Sequence, residues 1–479
     1  MRKRTLGVLT IFFIGAGMAL AQETTSSAIA ADRQEIELLK QKIAELDQRL
    51  QAEEKLQATK DQDAAAKAKA GVTLDAVSSK VDGLEGKLKD LGPFHFSGDL
   101  RLRHESFFGG GPADGAANPD RNRERYRLRF NATAKLNDEI SGGFSLASGD
   151  LGDPISTNST ETGFFTRTPI ALDRAYLFYT PKFFKALSAT AGKFAYTWDR
   201  TELTFDNDIN VEGASQKVAW DWENGPISHF GVVGFELPLF EVSGGADSSI
   251  LGGQVQTGWN LLPRLKVAAD AAFYDYQNPD SIAQNQTNGN GFATQGASTG
   301  QGGNFGFSAA TLTNSVGVIG GKRDFVSGFG VLDTLVRLNL DTGIRRFPLL
   351  ALFNFAQNTR ACQNLPAFAA AGVTVTCSPR DRQGYWAEAQ FGRLQTKGDL
   401  SFDYVFARIE REATVAAFVA SDFRQPTNVA QHRVGVDYQA YRNLTLDFTA
   451  FIGRQLITAQ TPTTERWLKR LEMDVNYKF

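Results

Sequence analysis

Several sequence signals are missing from this chain of 479 residues, and each absence excludes a class of protein. No apolar run after residue 20 is long enough to cross a membrane as a helix, so a membrane role would need a β-barrel. The formal net charge is only −2, which argues against binding of nucleic acid or other polyanions. Methionine (3) and proline (15) are few beside 46 glycines and 36 phenylalanines, which favours short strands joined by turns.

Signals of catalysis and of metal binding are also scarce. The chain has no G-x-S-x-G nucleophile elbow, P-loop or H-E-x-x-H helix. The four histidines are too far apart in sequence for a local metal site: His95, His104, His229 and His432. Residues 206–212 have the spacing of a calcium loop, but Val211 occupies the position where an EF-hand has glycine. We therefore expect no enzyme activity, no cofactor and no metal, although a barrel could assemble a hydrolase triad from distant strands.

The first 21 residues have the features of a secretory signal peptide. Residues 2–4 are basic, residues 6–20 are apolar, and residues 19–21 (Ala-Leu-Ala) form a small-x-small cleavage site. A short membrane anchor is the alternative. An exported protein would allow a disulfide between Cys362 and Cys377, whereas the alternative is a pair of free thiols.

Residues 22–93 are predicted to form a helical neck. Apolar residues recur at alternating spacings of three and four in two stretches, 36–50 and 74–91, as in a coiled-coil seam. Gly92-Pro93 then ends the helix. We predict a periplasmic coiled coil that joins subunits or reaches the peptidoglycan, with a loosely structured spacer as the alternative.

From Phe94 onward the hydrophobic period is two, the period of a strand with one apolar and one polar face. We count about sixteen such segments, and short links alternate with long ones between them. Short periplasmic turns and long external loops are typical of outer-membrane barrels. The predicted fold is an all-β membrane protein: an antiparallel barrel of about 16 strands over residues 94–479, preceded by the α-helical coiled coil.

Two sets of charged residues are candidates for lining a pore. Arginines share the polar faces of the first two strands, and burial against lipid would cost about 2–4 kcal/mol each near the midplane, so they should face the lumen. This basic wall consists of Arg101, Arg103, Arg121, Arg123, Arg125, Arg127 and Arg129. The loop 196–213 follows the fifth strand, and we predict that it folds inward as a constriction. Its acids are Asp199, Glu202, Asp206, Asp208 and Glu212. Acids facing arginines would create a transverse field, whereas a merely polar lining is the alternative.

Four stretches of the sequence resemble known families. The last strand, residues 469–479, alternates apolar and charged residues and ends on Phe479, which resembles the C-terminal signature read by the barrel-insertion machinery of bacterial outer membranes. LDRAYL at 172–177, AGKF at 191–194 and FDNDINVEG at 205–213 resemble the putative porin family and, more distantly, the phosphate-selective porins. The likeness in layout covers about the whole mature chain.

The resemblance implies a homotrimeric barrel in the outer-membrane lipid of a Gram-negative-type bacterium, open to passive diffusion. Many relatives have an Asn-Pro-aromatic stretch where this chain has Ala-Tyr-Thr-Trp at 195–198. Phosphate porins bind anions through arginines and lysines, and the acidic loop of this chain argues against a dedicated phosphate channel. We predict a porin for small hydrophilic solutes and ions, with a mild anion preference. The alternatives are an envelope tether that acts through the coiled coil and a barrel-borne hydrolase.

Overall fold

The computed structural model describes residues 94–109, 121–161, 164–242, 244–285, 313–458, 461–462 and 465–479. The chain divides into two units, 1–92 and 93–479, and the described residues all belong to the second. The predicted signal peptide and coiled-coil neck therefore lie outside the described residues. Within those ranges, no helix is both long enough and apolar enough to span a membrane.

The described residues form a closed antiparallel β-barrel of 16 strands, so the predicted strand number and barrel are confirmed. Strands adjacent in sequence pair with each other, and the first pairs with the last, where Leu100 lies opposite Tyr477. The strands are β1 (Phe94–Phe108), β2 (Arg121–Lys135), β3 (Ile140–Ser148), β4 (Ile170–Tyr179), β5 (Leu187–Phe194), β6 (Val211–Asp221), β7 (Ile227–Phe240), β8 (Ser248–Leu262), β9 (Leu265–Gln277), β10 (Gly330–Leu340), β11 (Leu349–Asn358), β12 (Gln383–Gly392), β13 (Leu400–Ile409), β14 (Val429–Tyr441), β15 (Leu444–Gln455) and β16 (Leu468–Lys478).

The two faces of each strand follow from the alternating sequence. In β16 the apolar side chains of Met473 and Tyr477 are exposed on the outer surface, at 51% and 46%. The charged side chains of Arg470, Glu472 and Asp474 on the other face are buried inside the barrel. This is the reverse of a soluble protein and is the arrangement expected of a barrel with lipid outside and water or loops inside.

Aromatic rings line the outer surface where the short turns lie. Phe94 and Phe96 have ring centroids 6.1 Å apart, and Trp220 and Phe230 have centroids 6.2 Å apart. The terminal Phe479 joins this belt through paired backbone hydrogen bonds with Gly98, at 2.9 and 3.0 Å. A Cβ atom at Gly98 would lie 2.5 Å from the Phe479 ring, so glycine is required for this close approach. Aromatic belts of this kind mark membrane–water interfaces.

Connections at one end of the barrel are mostly short and those at the other end are mostly long, so we call the two ends the short-turn end and the long-loop end. The turns span 136–139, 180–186, 222–226, 263–264, 341–348, 393–399 and 442–443, and the loops span 109–120, 149–169, 195–210, 241–247, 278–329, 359–382, 410–428 and 456–467. A two-residue strand, Ser159–Thr160, pairs with β2. The loops also contain short helices at Asp280–Asn285 and Leu365–Ala370, a 3-10 turn at Ala416–Phe418, and a hairpin of Val316–Ile319 with Lys322–Phe325.

Loop 359–382 contains the two cysteines. A disulfide joins Cys362 and Cys377, whose Cα atoms are 5.7 Å apart. The serine hydroxyl of Ser327, from loop 278–329, accepts a hydrogen bond from the Cys362 backbone N–H at 2.9 Å. The bridge closes loop 359–382, and the Ser327 hydrogen bond holds that loop beside loop 278–329.

Candidate functional site

Loop 195–210, which we call the inward loop, crosses the lumen. Trp198 stacks on Phe235 of β7, with ring centroids 4.0 Å apart. The hydroxyl of Thr204 donates to Asp333 of β10 at 2.9 Å. Leu203 is fully buried against β12, where a Cβ on Gly384 would lie 2.7 Å from its Cδ1. The inward loop thus leaves the wall at β5 and is anchored at β10 and β12.

Loop 410–428, which we call the second inward loop, also enters the barrel and was not predicted. Its residues 413–420, ATVAAFVA, are buried. The Phe418 ring stacks on Phe205 of the inward loop at 6.0 Å. The Asp206 backbone N–H donates to the Phe418 carbonyl at 2.6 Å, and the Ala420 N–H donates to the Glu202 carbonyl at 3.2 Å. The apolar run was the available sequence signal, because an external loop has no reason to be apolar.

Two acids of the inward loop reach arginines on the barrel wall. Asp199 lies 2.7 Å from Arg337 of β10, and Glu202 lies 3.5 Å from Arg433 of β14. Burial raises the pKa of Glu202 above its ordinary value, and Arg433 opposes that shift. These contacts place carboxylates of the inward loop against two separate strands of the wall, β10 and β14.

The three remaining predicted acids occupy different environments. The buried carboxylate of Asp206 accepts hydrogen bonds from the backbone N–H groups of Asp208 (2.8 Å) and Ser421 (2.7 Å), which ties the two inward loops together. Burial, together with the nearby carboxylates of Glu202 and Asp208, raises the pKa of Asp206 well above its ordinary value. Glu212 departs from the prediction: it lies in strand β6, on the outer face, where it pairs with Lys193 of β5 at 2.8 Å.

Asp208 links the inward loop to the basic wall. Its carboxylate lies 3.8 Å from Arg129 of β2. Arg129 also donates to Asp99 of β1 at 2.8 Å, and Arg127 donates twice to the same carboxylate, at 3.0 and 2.8 Å. The short-turn half of the basic wall is therefore already paired with acid.

Glu105 is the centre of the other half of the wall. Its side chain is fully buried and accepts hydrogen bonds from Arg123, Arg125 (3.3 Å) and Arg470 (3.0 Å). Arg103 lies 3.6 Å away. One carboxylate on β1 thus contacts four guanidinium groups from three adjacent strands.

Acids of β16 complete this cluster. Arg103 makes a bidentate contact with Asp474, at 2.7 and 2.6 Å, and a 2.8 Å contact with Glu472. Asp422 of the second inward loop lies 2.8 Å from Arg470. Burial opposes ionisation of Asp422, but Arg470 and Arg103 hold its pKa below the usual range.

Loop 149–169 covers the long-loop end of the wall. Asn158 accepts a hydrogen bond from Arg101 at 2.5 Å, and Ser156 accepts one from Arg125 at 3.2 Å. Arg121 is exposed at the edge. The cluster contains eight arginines (Arg101, Arg103, Arg121, Arg123, Arg125, Arg127, Arg129 and Arg470) and six carboxylates (Asp99, Glu105, Asp208, Asp422, Glu472 and Asp474). The basic wall is thus largely neutralised, with a small excess of positive charge.

Nearer the short-turn end, acidic and basic side chains lie on different sides of the lumen. In register, Asp437 of β14 lies opposite Asp447 of β15, which lies opposite Asp474 of β16. Among the described residues, Asp437 and Asp447 have no cation within ion-pair distance. On the opposite side, Lys217 and Lys266 line a cavity of about 550 Å³ together with Asp199, Asp270 and Arg337, which are ion-paired. The short-turn half therefore has an acidic face on one side of the lumen and a face with a small excess of positive charge on the other.

A family model and several solved structures match this chain. A family model described as Putative porin matches residues 112–479. Solved structures of similar fold include Pseudomonas putida OprB (12% identity, TM-score 0.47, covering 83% of this chain and 97% of that chain). Salmonella typhi OmpF in complex with daunomycin (10%, 0.45, 81% and 97%) and the Acinetobacter baumannii outer-membrane channel DcaP (12%, 0.42, 81% and 97%) also match. No curated protein matches the chain. Since the family match spans most of the chain, this protein belongs to the putative porin family.

Proposed function

We propose that this protein is an outer-membrane porin through which small hydrophilic solutes and ions diffuse passively. The observation that carries the proposal is a closed barrel with an apolar outer wall and charged side chains directed into its lumen. A closed barrel satisfies every backbone hydrogen bond within lipid and leaves the interior for a polar path. This arrangement favours a channel over an enzyme.

We place the narrowest part of the path beside the contacts between the inward loops and the basic wall. Asp208 of the inward loop is 3.8 Å from Arg129, and Asp422 of the second inward loop is 2.8 Å from Arg470. Arginines on the wall and carboxylates on the loops give a transverse field at this constriction. Such a field orients dipolar solutes and gives only a weak preference for ions of one sign.

A mild anion preference is the selectivity that we propose. Arginines outnumber carboxylates in the cluster at the constriction, which favours anions there. Asp437 and Asp447 act in the opposite direction nearer the short-turn end. The two regions partly cancel, so both small anions and small cations pass.

Arg129→Glu is expected to shift the ion preference of the channel toward cations. The Arg129 side chain is 30% exposed and contacts Asp208 of the inward loop at 3.8 Å, beside the proposed constriction. Reversal of one charge at the narrowest point changes the local potential more than the same change in a wide vestibule. The measurement is the reversal potential in a planar bilayer under a salt gradient.

Lys469→Glu is the matched control for Arg129→Glu. Lys469 lies on the outer face of β16 and is also exposed, so the same charge reversal should leave the reversal potential unchanged. If Arg129→Glu also leaves it unchanged, Arg129 does not line the ion path and the proposed constriction is misplaced.

The environment of the barrel follows from the family. The fold and family point to the bacterial outer membrane. We propose that the long loops face the exterior and the short turns the periplasm, that Phe479 serves the barrel-insertion machinery, and that three copies form a homotrimer. Contact with peptidoglycan would involve the predicted neck, residues 22–93.

A further inference from the structure

A row of cations lies on the outer face of β13 to β15 at the long-loop end. Arg408 of β13 lies opposite Ala430 of β14, which lies opposite Arg454 of β15. Strands are about 4.8 Å apart, so the two arginine backbones are separated by about 10 Å with only a methyl group between them. Ala430 leaves a shallow depression that two long side chains border.

A second outward row adjoins the first. His432 of β14 lies opposite Ile452 of β15, which lies opposite Lys469 of β16. The neighbouring Arg433 and Arg470 point into the lumen, where they contact Glu202 and Glu105 respectively, so strand alternation directs His432 and Lys469 outward.

The outward cations have aromatic neighbours but few acidic ones. Arg454 lies over the Trp467 ring at 4.5 Å, and Lys469 lies 5.9 Å from the Phe108 ring. Neither cation forms an ion pair with any residue that the structure describes. Arg408 alone contacts a carboxylate, Glu410, at 3.1 Å.

We propose that this outer surface, formed by Arg408, Arg454 and Lys469, binds the phosphate groups of an anionic lipid in the outer leaflet. The inference rests on the proposed function, which places the long-loop end at the outside of the membrane. Outward cations cost about 2–4 kcal/mol at the membrane midplane and about 0–1 near the interface, so their position at the barrel end fits the headgroup level. Trp467 and His432 belong to the aromatic girdle of that interface, with ring centroids 5.6 Å apart.

Charge complementarity selects the occupant. Arg454 and Lys469 have no carboxylate partner among the described residues and lie on a face that meets lipid, so anions of the membrane itself complement their charge. Guanidinium groups match phosphate oxygens in geometry as well as charge. The cation–π contacts also hold the Arg454 and Lys469 side chains in place before a lipid binds.

The test is retention of lipid A by the purified barrel in native mass spectrometry. Wild type should retain the bisphosphorylated form far better than the dephosphorylated form. In Arg454→Gln/Lys469→Gln, retention of the bisphosphorylated form should fall roughly 30-fold, as expected for two cations near an anionic surface. Lys193→Gln/Glu212→Gln, which removes an outward ion pair at the same end of the barrel, should retain it like wild type.

Conductance of the same samples separates this proposal from the channel itself. The substituted side chains lie outside the lumen, so Arg454→Gln/Lys469→Gln should conduct like wild type. Normal conductance would also show that the variant is correctly folded. Equal retention by a conducting variant and by wild type would overturn the lipid site and leave the porin proposal intact. Equal retention of both lipid forms by wild type would overturn it as well.

Discussion

Glu105→Gln is expected to destabilise the barrel by about 3–5 kcal/mol. This is the usual cost of removing one partner of a buried ion pair. The Glu105 carboxylate is fully buried and compensates arginines on both neighbouring strands, including Arg123, Arg125 and Arg470. An amide keeps much of the shape but removes the negative charge, so these guanidinium groups would repel one another in a site with little water. The measurement is denaturant unfolding of the barrel in lipid vesicles, followed by tryptophan fluorescence.

Glu124→Gln is the control for this prediction. Glu124 lies on β2, on the outer face, where its carboxylate is 2.6 Å from His104 and 55% exposed. Because the pair is exposed, its loss should change the free energy of unfolding by about 0–1 kcal/mol. If Glu105→Gln were as mild as Glu124→Gln, the arginine cluster would not depend on its central carboxylate.

Replacement of residues 198–207 by a short Gly-Ser linker is expected to raise the single-channel conductance several-fold. This segment crosses the lumen and carries Trp198, Leu203 and Phe205, which occupy lumen space between β7 and β12. Ion flow through a pore is limited by its narrowest section, so removal of the segment should widen the path. The measurement is the step size in a planar bilayer at fixed salt and voltage.

A shortened external loop is the control for this deletion. Gly244, Gly245 and Ala246 lie in loop 241–247 and are exposed, and their removal should leave the conductance unchanged. If the 198–207 replacement folds yet conducts like wild type, the inward loop does not form the constriction, and the second inward loop becomes the main barrier.

The barrel could be predicted from the sequence because lipid outside and polar contents inside impose a period of two on every strand. β16 shows this in full, since its alternation identifies both the lumen-facing charges and the outward apolar residues. Chain order also fixes the neighbours of each strand, because short turns leave no other pairing.

The ion pairs of the site were harder to predict, because they depend on closure of the barrel. Arg103 and Asp474 are 371 residues apart in sequence and meet only because β1 pairs with β16. Asp99 and Glu105 could have been anticipated, since they share the polar face of β1 with Arg103. The alternation of β1 places these two acids on the same face as the arginines, although the basic wall was predicted from its arginines alone.

The boundaries and paths of the loops could not be read from periodicity. The predicted loop 196–213 includes Glu212, whereas β6 already begins at Val211 and directs the Glu212 side chain outward. The second inward loop has neither helical nor strand period over residues 410–428. Its apolar run indicates burial, but its position depends on contacts with Phe205 and Asp206 of the other loop, which no local pattern encodes.

Single-channel recording of the purified protein in a planar bilayer under a salt gradient tests the porin proposal most directly. The account predicts stable steps of uniform size and a small reversal potential of the sign that indicates anion preference. A barrel shown to be folded that gives no conductance would contradict the proposed function, since the inward loops would then close the lumen completely.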